Sequence, residues 1–521
     1  MPKPTWEIAI DFEQDNEFSG ADLITEDVLS CTWSLGFAGP YEPVAKDSQL
    51  TLTLRNTDKR YSPEYSRSPF YPNFTHGRLV RVRSTYNSVT RQHFIGWIDS
   101  IDPTPGKYGA RQTVVRASGF LLKAQDYEAF VPVQEGKTAD QVIDAVLRRA
   151  AVFPPGFFGR WTLGVATKGE LGQNTTLGEI TDYLQAETGI STFSIIGDQW
   201  SDGVTVYGAL RDAVGREGGR LFVDRQGKII FWNRNHLPLT TTVQATFDNA
   251  MTQVEYEFGD LFINKATVRA RPRAVGTSNE TLGVLNKATK IPAGESKEIS
   301  FRYADTVNSG ATVAGKNAVA PVQTTDFTAN SMEDGSGTNY TSSVTAAIVE
   351  ESGTRCKVRY TNAAGVDVWL QPGAVIRGIK ITDFGEVDTE RENSMSVLKF
   401  GLRPYTYPFV LDSVAEADNL AAFLLQNRQG PRGRVKALEL AAYSSDALLS
   451  QALARTIGDR IVVIEEQTDI NAAYFIIGES HRLTPNGDYR VVWQLEPAAV
   501  SSYWIFATAG YGEVGETTIL A

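Results

Sequence analysis

The chain has 521 residues, 42% of them hydrophobic and 21% charged, and a net charge of −11. That length suits three or four domains with full cores, and the composition excludes extended disorder. Two distant cysteines, Cys31 and Cys356, exclude a disulfide framework and a zinc site built on CxxC pairs.

The N-terminal MPKPTWEIAIDF lacks the basic-then-apolar pattern of a secretory signal. No apolar run approaches the ~20 residues that cross a bilayer. The sequence therefore predicts a protein made in a cytoplasm, not inserted in a membrane by itself, with two reduced, buried thiols. The acidic balance argues against a free-standing nucleic-acid binder, whose affinity rests on neutralising phosphates.

Residues 1–125 read as strands. TWEIAI, VLSCTWSLG, SQLTLTLRN, GRLVRVRST, RQHFIGWIDSI and RQTVVRASGFLL alternate apolar and polar positions between turn residues. This predicts an antiparallel sheet curled toward a barrel. Residues 126–235 form a mixed α/β module. In KTADQVIDAVLRRAA, Thr138 is placed to cap a helix in which Val142, Ile143, Val146 and Leu147 recur at helical spacing. TTLGEITDYLQAET predicts a second helix. VYGALRDAVGREGG predicts a third, stopped by Gly218 and Gly219. RLFVDRQGKIIFWNR reads as a hairpin with Gln226 and Gly227 in its turn. Residues 236–400 are β-rich, and the Thr-, Ser-, Asn- and Gly-rich part from about 281 reads as a small β-sandwich. Residues 401–521 open with a helix, SVAEADNLAAFLLQNRQ, and close with strands. The predicted class is mainly β with an α/β module.

Chemistry has no positive signal. The four histidines, His76, His93, His236 and His481, stand in no metal-ligand spacing, and no nucleophile elbow, P-loop or dinucleotide fingerprint follows a strand. Acidic pairs such as Glu465 with Glu466, or Asp388 with Glu390, read as solvated surface. Residues 332–341, MEDGSGTNYT, are oxygen-rich but lack the ligand pattern of an EF-hand, so an Asx-type turn is expected. The expectation is no enzyme, no cofactor and no metal.

Residues 60–74, RYSPEYSRSPFYPNF, are too aromatic for a solvated loop and too rich in proline for a strand. The run SQLTLTLRNTDKRYSPEYSRSPFYPNFTHGRLVRVR, followed by HFIGWIDSI, resembles the start of minor tail proteins of long-tailed phages and prophages. There, a strand ending in L-x-N-x-D-x-R-[YF]-S-P leads to an aromatic loop, a P-G-x-x-V-x-V strand, then F-x-G-x-[IV]-D. Leu54, Asn56, Asp58, Arg60, Tyr61, Ser62 and Pro63 match the first part. Gly77, Val80 and Val82 match the second, with His76 where proline is common; Phe94, Gly96, Ile98 and Asp99 match the last. GGRLFVDRQGKIIFWNR is similar to a hairpin of hub proteins in phage tails and related injection machines. IGDRIVV and YFIIGESHRL are similar to their closing tube-like strands.

The resemblance implies a trimeric hub capping the tail tube at the distal tip of a virion, with two tail-tube-like β-barrel domains per chain imitating a six-fold ring. Its implied partners are the distal tail protein ring, the C-terminus of the tape-measure protein, and fibre or spike proteins. Genomic DNA would pass through the lumen without specific binding, which an acidic wall favours. Two alternatives stay open: a hexameric distal-tail ring component, and an envelope-directed protein binding or degrading host-surface glycan through residues 281–400. In that region Trp369 reads first as a sandwich-core residue. For the aromatic loop, Tyr61, Tyr65, Phe70, Tyr71 and Phe74 are the candidate subunit interface. The competing reading packs Tyr61, Phe70 and Phe74 over their own sheet.

Overall fold

The computed structural model describes residues 3–498, apart from 16, 107–108, 150–183, 201–203, 260, 305–312 and 429. The first strands are β1 (Thr5–Ile10), β2 (Val28–Gly36), β3 (Lys46–Arg55), β4 (Leu79–Tyr86), β5 (Val89–Pro103) and β6 (Gln112–Ser118). Alternation decides their faces. In β4, Val80 and Val82 are buried while Arg81 and Arg83 turn outward toward Glu7 of β1. The expected strand through GFLL stops at Ser118 and gives way to helix α1 (Phe120–Asp126). Asp47 on β3 accepts the backbone N–H groups of Gly119 and Leu122, capping that helix from outside its own segment.

The α/β module holds β7 (Gln134–Thr138), α2 (Ala139–Arg149), β8 (Leu184–Ala186), β9 (Thr192–Ile196), α3 (Val206–Glu217), β10 (Arg220–Val223), β11 (Ile229–Trp232) and α4 (His236–Leu239). Val142, Ile143, Val146 and Leu147 of α2 are all buried. Thr205 caps α3 by accepting from the Gly208 N–H, and Gly218, at φ +71°, ends it in the left-handed conformation that glycine adopts without strain. The helix expected over residues 175–188 lies outside the described residues up to 183. Residues 184–186 are instead strand β8, parallel to β11.

Next come β12 (Val243–Asp248), β13 (Gln253–Phe258) and β14 (Lys265–Ala270). A separate β unit follows: β15 (Arg273–Val284), β16 (Thr289–Ile291), β17 (Ser296–Arg302), β18 (Ala314–Val319), β19 (Ala329–Asn330), β20 (Val344–Glu351), β21 (Arg355–Asn362), β22 (Val368–Leu370) and β23 (Val375–Asp383). Its strands form three three-stranded sheets around their own core, which includes Phe301, Tyr303, Phe327, Val358 and Tyr360. Cys356 lies in this core and Cys31 in the main one, both free and buried; burial lifts the Cys356 thiol to about 12.

After β24 (Val387–Glu392) come α5 (Ser394–Phe400), β25 (Pro404–Leu411) and α6 (Val414–Arg428). Strands β24, β14 and β25 make a small sheet, and α6 covers it with Ala417, Leu420, Ala421 and Leu424. The last elements are β26 (Gly433–Ala441), α7 (Asp446–Ala454), β27 (Arg460–Glu465), β28 (Ile470–Leu483) and β29 (Tyr489–Pro497).

The two ends of the chain meet edge to edge. Strand β2 pairs antiparallel with β28, from Cys31 opposite Leu483 to Gly36 opposite Gly478. The result is one twelve-stranded sheet along the path β1-β4-β5-β6-β3-β2-β28-β29-β26-β13, with β27 and β12 branching from β28. Two glycines permit the close approach. A Cβ on Gly36 would stand 2.5 Å from the Ile477 carbonyl oxygen, and one on Gly478 would stand 2.5 Å from that of Phe37. The architecture is mainly β with an α/β module. The N-terminal and C-terminal strands share one sheet, and among the described residues its path ends on β1 and β13 without closing into a barrel.

Candidate assembly surface

The motif ending β3 folds the aromatic loop by hydrogen bonding. Asn56 donates from Nδ2 to Ser62 Oγ and Thr113 Oγ1, both at 2.9 Å, and accepts the Tyr61 N–H at 3.0 Å. Arg60 pairs with Asp58 and Asp27, and the Tyr61 hydroxyl donates to Asp27 at 2.7 Å. Beyond that anchor, the N–H groups of Ser62, Tyr65, Ser68 and Tyr71 each reach back three residues to a carbonyl, at 2.8–3.2 Å. The loop is thus a chain of tight turns, which is why serine and proline punctuate it.

Its aromatics divide. Phe70 stacks on Phe12 at 4.1 Å and on Tyr61 at 5.4 Å, while Phe74 meets both edge-on. Tyr61 and Phe74 are buried and Phe70 half-buried, so these three fasten the loop to its own sheet. Tyr71 is 49% exposed, and Tyr65 lies half-exposed beneath the Lys59 ammonium. These two present aromatic area to solvent on a braced backbone.

A second outward apolar group was not expected from the sequence. Met395, Leu398 and Leu402 are 76%, 82% and 55% exposed on and just beyond α5. Met395 and Leu398 stand three residues apart on the helix, Leu402 follows its end at Gly401, and Asn393 caps the helix by accepting the Ser396 N–H. That pattern was a readable signal; its outward direction was not.

Behind the surface, the seam encloses a polar core. Trp33 stacks on His481 at 4.7 Å, Trp6 meets Trp33 and Tyr489 edge-on, and Ser84 Oγ lies 2.7 Å from His93 Nε2. Into this cluster the turn between β10 and β11 inserts Arg225, which binds both oxygens of Glu479 on β28 at 2.7 and 2.5 Å. It also donates to the carbonyls of Leu453 and Arg455. Burial opposes the Glu479 charge, but the Arg225 guanidinium outweighs it and holds the carboxyl well below its usual range. Burial pushes both His93 and His481 below the ordinary imidazole range, against the opposing pull of the Glu479 carboxylate. The hairpin that resembles the hub motif therefore locks the α/β module onto the seam.

No family model and no curated protein matches the chain. Solved structures do resemble it. The 43 kDa tail protein of prophage MuSo2 from Shewanella oneidensis aligns over 95% of this chain and 99% of that chain, with a TM-score of 0.48 and 10% identity. A tail protein from Neisseria meningitidis MC58 aligns over 94% and 96%, with a TM-score of 0.46 and 10% identity. Prophage tail protein gp18 from Listeria monocytogenes EGD-e aligns over 94% of each chain, with a TM-score of 0.40 and 10% identity.

The remaining candidates are scattered. His76 is exposed, and His236 stacks on Trp232 at 4.1 Å with Nδ1 2.5 Å from Glu187. Asp388, Glu390 and Glu466 are exposed and Glu465 partly so. In the 332–341 loop Asp334 accepts from Ser336, an Asx-type turn. Among the described residues no group of three or more His, Cys, Asp or Glu could hold a metal ion, and no helix is long and apolar enough to cross a membrane. Trp369 departs from the core position expected of it. Its strand neighbours Val368 and Leu370 take the buried face, leaving Trp369 half-buried on the outer one, 5.3 Å from Lys290 Nζ.

Proposed function

We propose that the protein is a structural hub subunit at the distal tip of a long-tailed phage tail, acting through interfaces and without catalysis. The observation that carries this reading is the β2–β28 seam, which sets N-terminal and C-terminal strands side by side in one sheet. A chain with two such lobes gives six lobes in a trimer, the geometry needed to mate with a hexameric ring. The motif over residues 54–99 adds support, since its polar residues build the loop that presents Tyr65 and Tyr71.

On this reading the partners are the distal tail protein ring, the tape-measure C-terminus and fibre or spike proteins. DNA passes a lumen whose wall does not retain it, in keeping with a net charge of −11. Native mass measurement tests the proposal: a trimer is the expected result, and a six-fold ring would transfer the protein to the distal-ring alternative. The outward Trp369 favours a second reading, a host-glycan contact. A glycan array probed with the intact protein and Trp369→Ala tests it, and equal signals from both would remove it.

A further inference from the structure

Where the turn after α3, the segment 232–238, helix α6 and the ends of β26, β28 and β29 converge, they enclose a cleft of about 610 Å³. In an acidic chain this cleft is basic. Arg220, Arg234, Arg428, Arg432, Arg434 and Arg460 line it, against Glu42 and Glu496, with no lysine or aspartate, a formal charge of +4. The floor is apolar and includes Leu237, Phe262, Phe423 and Leu424.

The arginines fall into two sets. Three are neutralised within the fold: Arg220 by both oxygens of Glu496 at 2.7 Å, Arg434 by Glu257, and Arg234 by Glu217. Arg428, Arg432 and Arg460 have no carboxylate within ion-pair reach among the described residues. Arg428 gives one N–H to the Leu261 carbonyl, and its guanidinium lies 4.8 Å from the rings of both Tyr41 and Tyr405. Arg460 gives one N–H to the Thr240 carbonyl and lies over Phe475, while its buried Nε has no partner. Aromatic faces fix these cations in place without cancelling their charge, so the ordering cost of binding a carboxylate is already met.

We propose that this cleft binds a short segment of another polypeptide that carries carboxylates beside aromatic or large aliphatic side chains. The fixed guanidiniums take the carboxylates as fork-like hydrogen-bond pairs, and the Leu/Phe floor takes the apolar side chains. A nucleic acid fits less well. It needs a run of neutralising cations, whereas three remain here, inside a molecule of net charge −11 that repels a polyanion. The assignment is independent of the tail reading.

The test is selection of a random-sequence peptide display library on the full chain, followed by anisotropy with the enriched peptides. Enrichment of Asp or Glu together with Trp, Tyr, Phe or Leu is expected. Binding should weaken about tenfold or more in Arg428→Glu and in Arg432→Glu. Arg432 is exposed and forms no ion pair with a carboxylate among the described residues, so its variant decides the question should Arg428→Glu misfold. No enrichment, enriched peptides without acidic residues, or equal binding to wild type and the folded variants would each overturn the proposal. Oligothymidylate or inorganic phosphate binding as tightly as the peptides would overturn it in favour of a general anion site.

Discussion

Arg225 has its backbone in one module and its charge in another, and that separation makes its energetics testable. A buried guanidinium and carboxylate each lose their hydration, and their mutual contact offsets most of the loss. Glu479→Leu or Arg225→Met alone should cost about 3–5 kcal/mol, because each leaves one buried charge without its partner. Arg225→Met combined with Glu479→Leu should recover much of that loss, a non-additivity that a double-mutant cycle in denaturant measures. The neighbouring histidines set a pH dependence. Their folded-state pKa values are depressed from 6.5, so below that pH the unfolded chain binds protons that the folded chain refuses. Stability should therefore fall on acidification from 6.5, by up to about 1.4 kcal/mol per pH unit per histidine. Asp47, raised to about 6 by burial, works the other way: it binds its proton more readily in the folded state and partly offsets the loss between pH 6 and its unfolded value. His93→Gln with His481→Asn should flatten the acid limb in melts recorded from pH 7 to 5.

At the scale of elements, the aromatic loop joins a structural face to an outward one. Phe74→Ala removes a ring packed against Phe12 and Tyr61 and should cost about 3–5 kcal/mol in the monomer. Tyr65→Ala with Tyr71→Ala should leave the monomer melt nearly unchanged and weaken assembly in analytical ultracentrifugation. An assembly unaffected by that pair would move the subunit contact elsewhere, with the Met395, Leu398 and Leu402 face next to test. Elements whose signal is local were legible in the sequence. Helix α2 follows from its 3.6-residue period, α3 from its stop at Gly218 and Gly219, and the β10–β11 turn from Gln226 and Gly227, the latter at φ +82°. Signals supplied from elsewhere were not. The cap that turns GFLL from strand to helix is Asp47, and the partner of Arg225 stands on β28. Likewise, alternation places Trp369 on one face of β22 but cannot say which face is covered.

The whole molecule is built on pairings that no short window contains. Strand β2 meets β28 across nearly the full chain, so the twelve-stranded sheet depends on both ends being present, whereas the β15–β23 unit depends on neither. That unit has its own core, and its two ends close on each other: Arg273 pairs with Asp383, Val275 with Ile381, and the Phe384 N–H donates to the Pro272 carbonyl at 3.2 Å. Replacing residues 276–380 by Asn-Gly between Val275 and Ile381 would leave a hairpin at a site already in antiparallel register. It would also keep Arg273, whose guanidinium neutralises the buried Asp198. The shortened chain should fold cooperatively and keep the oligomeric state of the intact protein, since the excised strands pair with no strand of the twelve-stranded sheet. The excision also removes Lys316, which pairs with Glu135, and Gly353, which lies against the backbone of Asp198. A modest fall in melting temperature is therefore expected, confined to the β7–β9 side of the module. Loss of assembly with the monomer still folded would instead make the excised unit part of the subunit contact, and would shift the interface away from the aromatic loop.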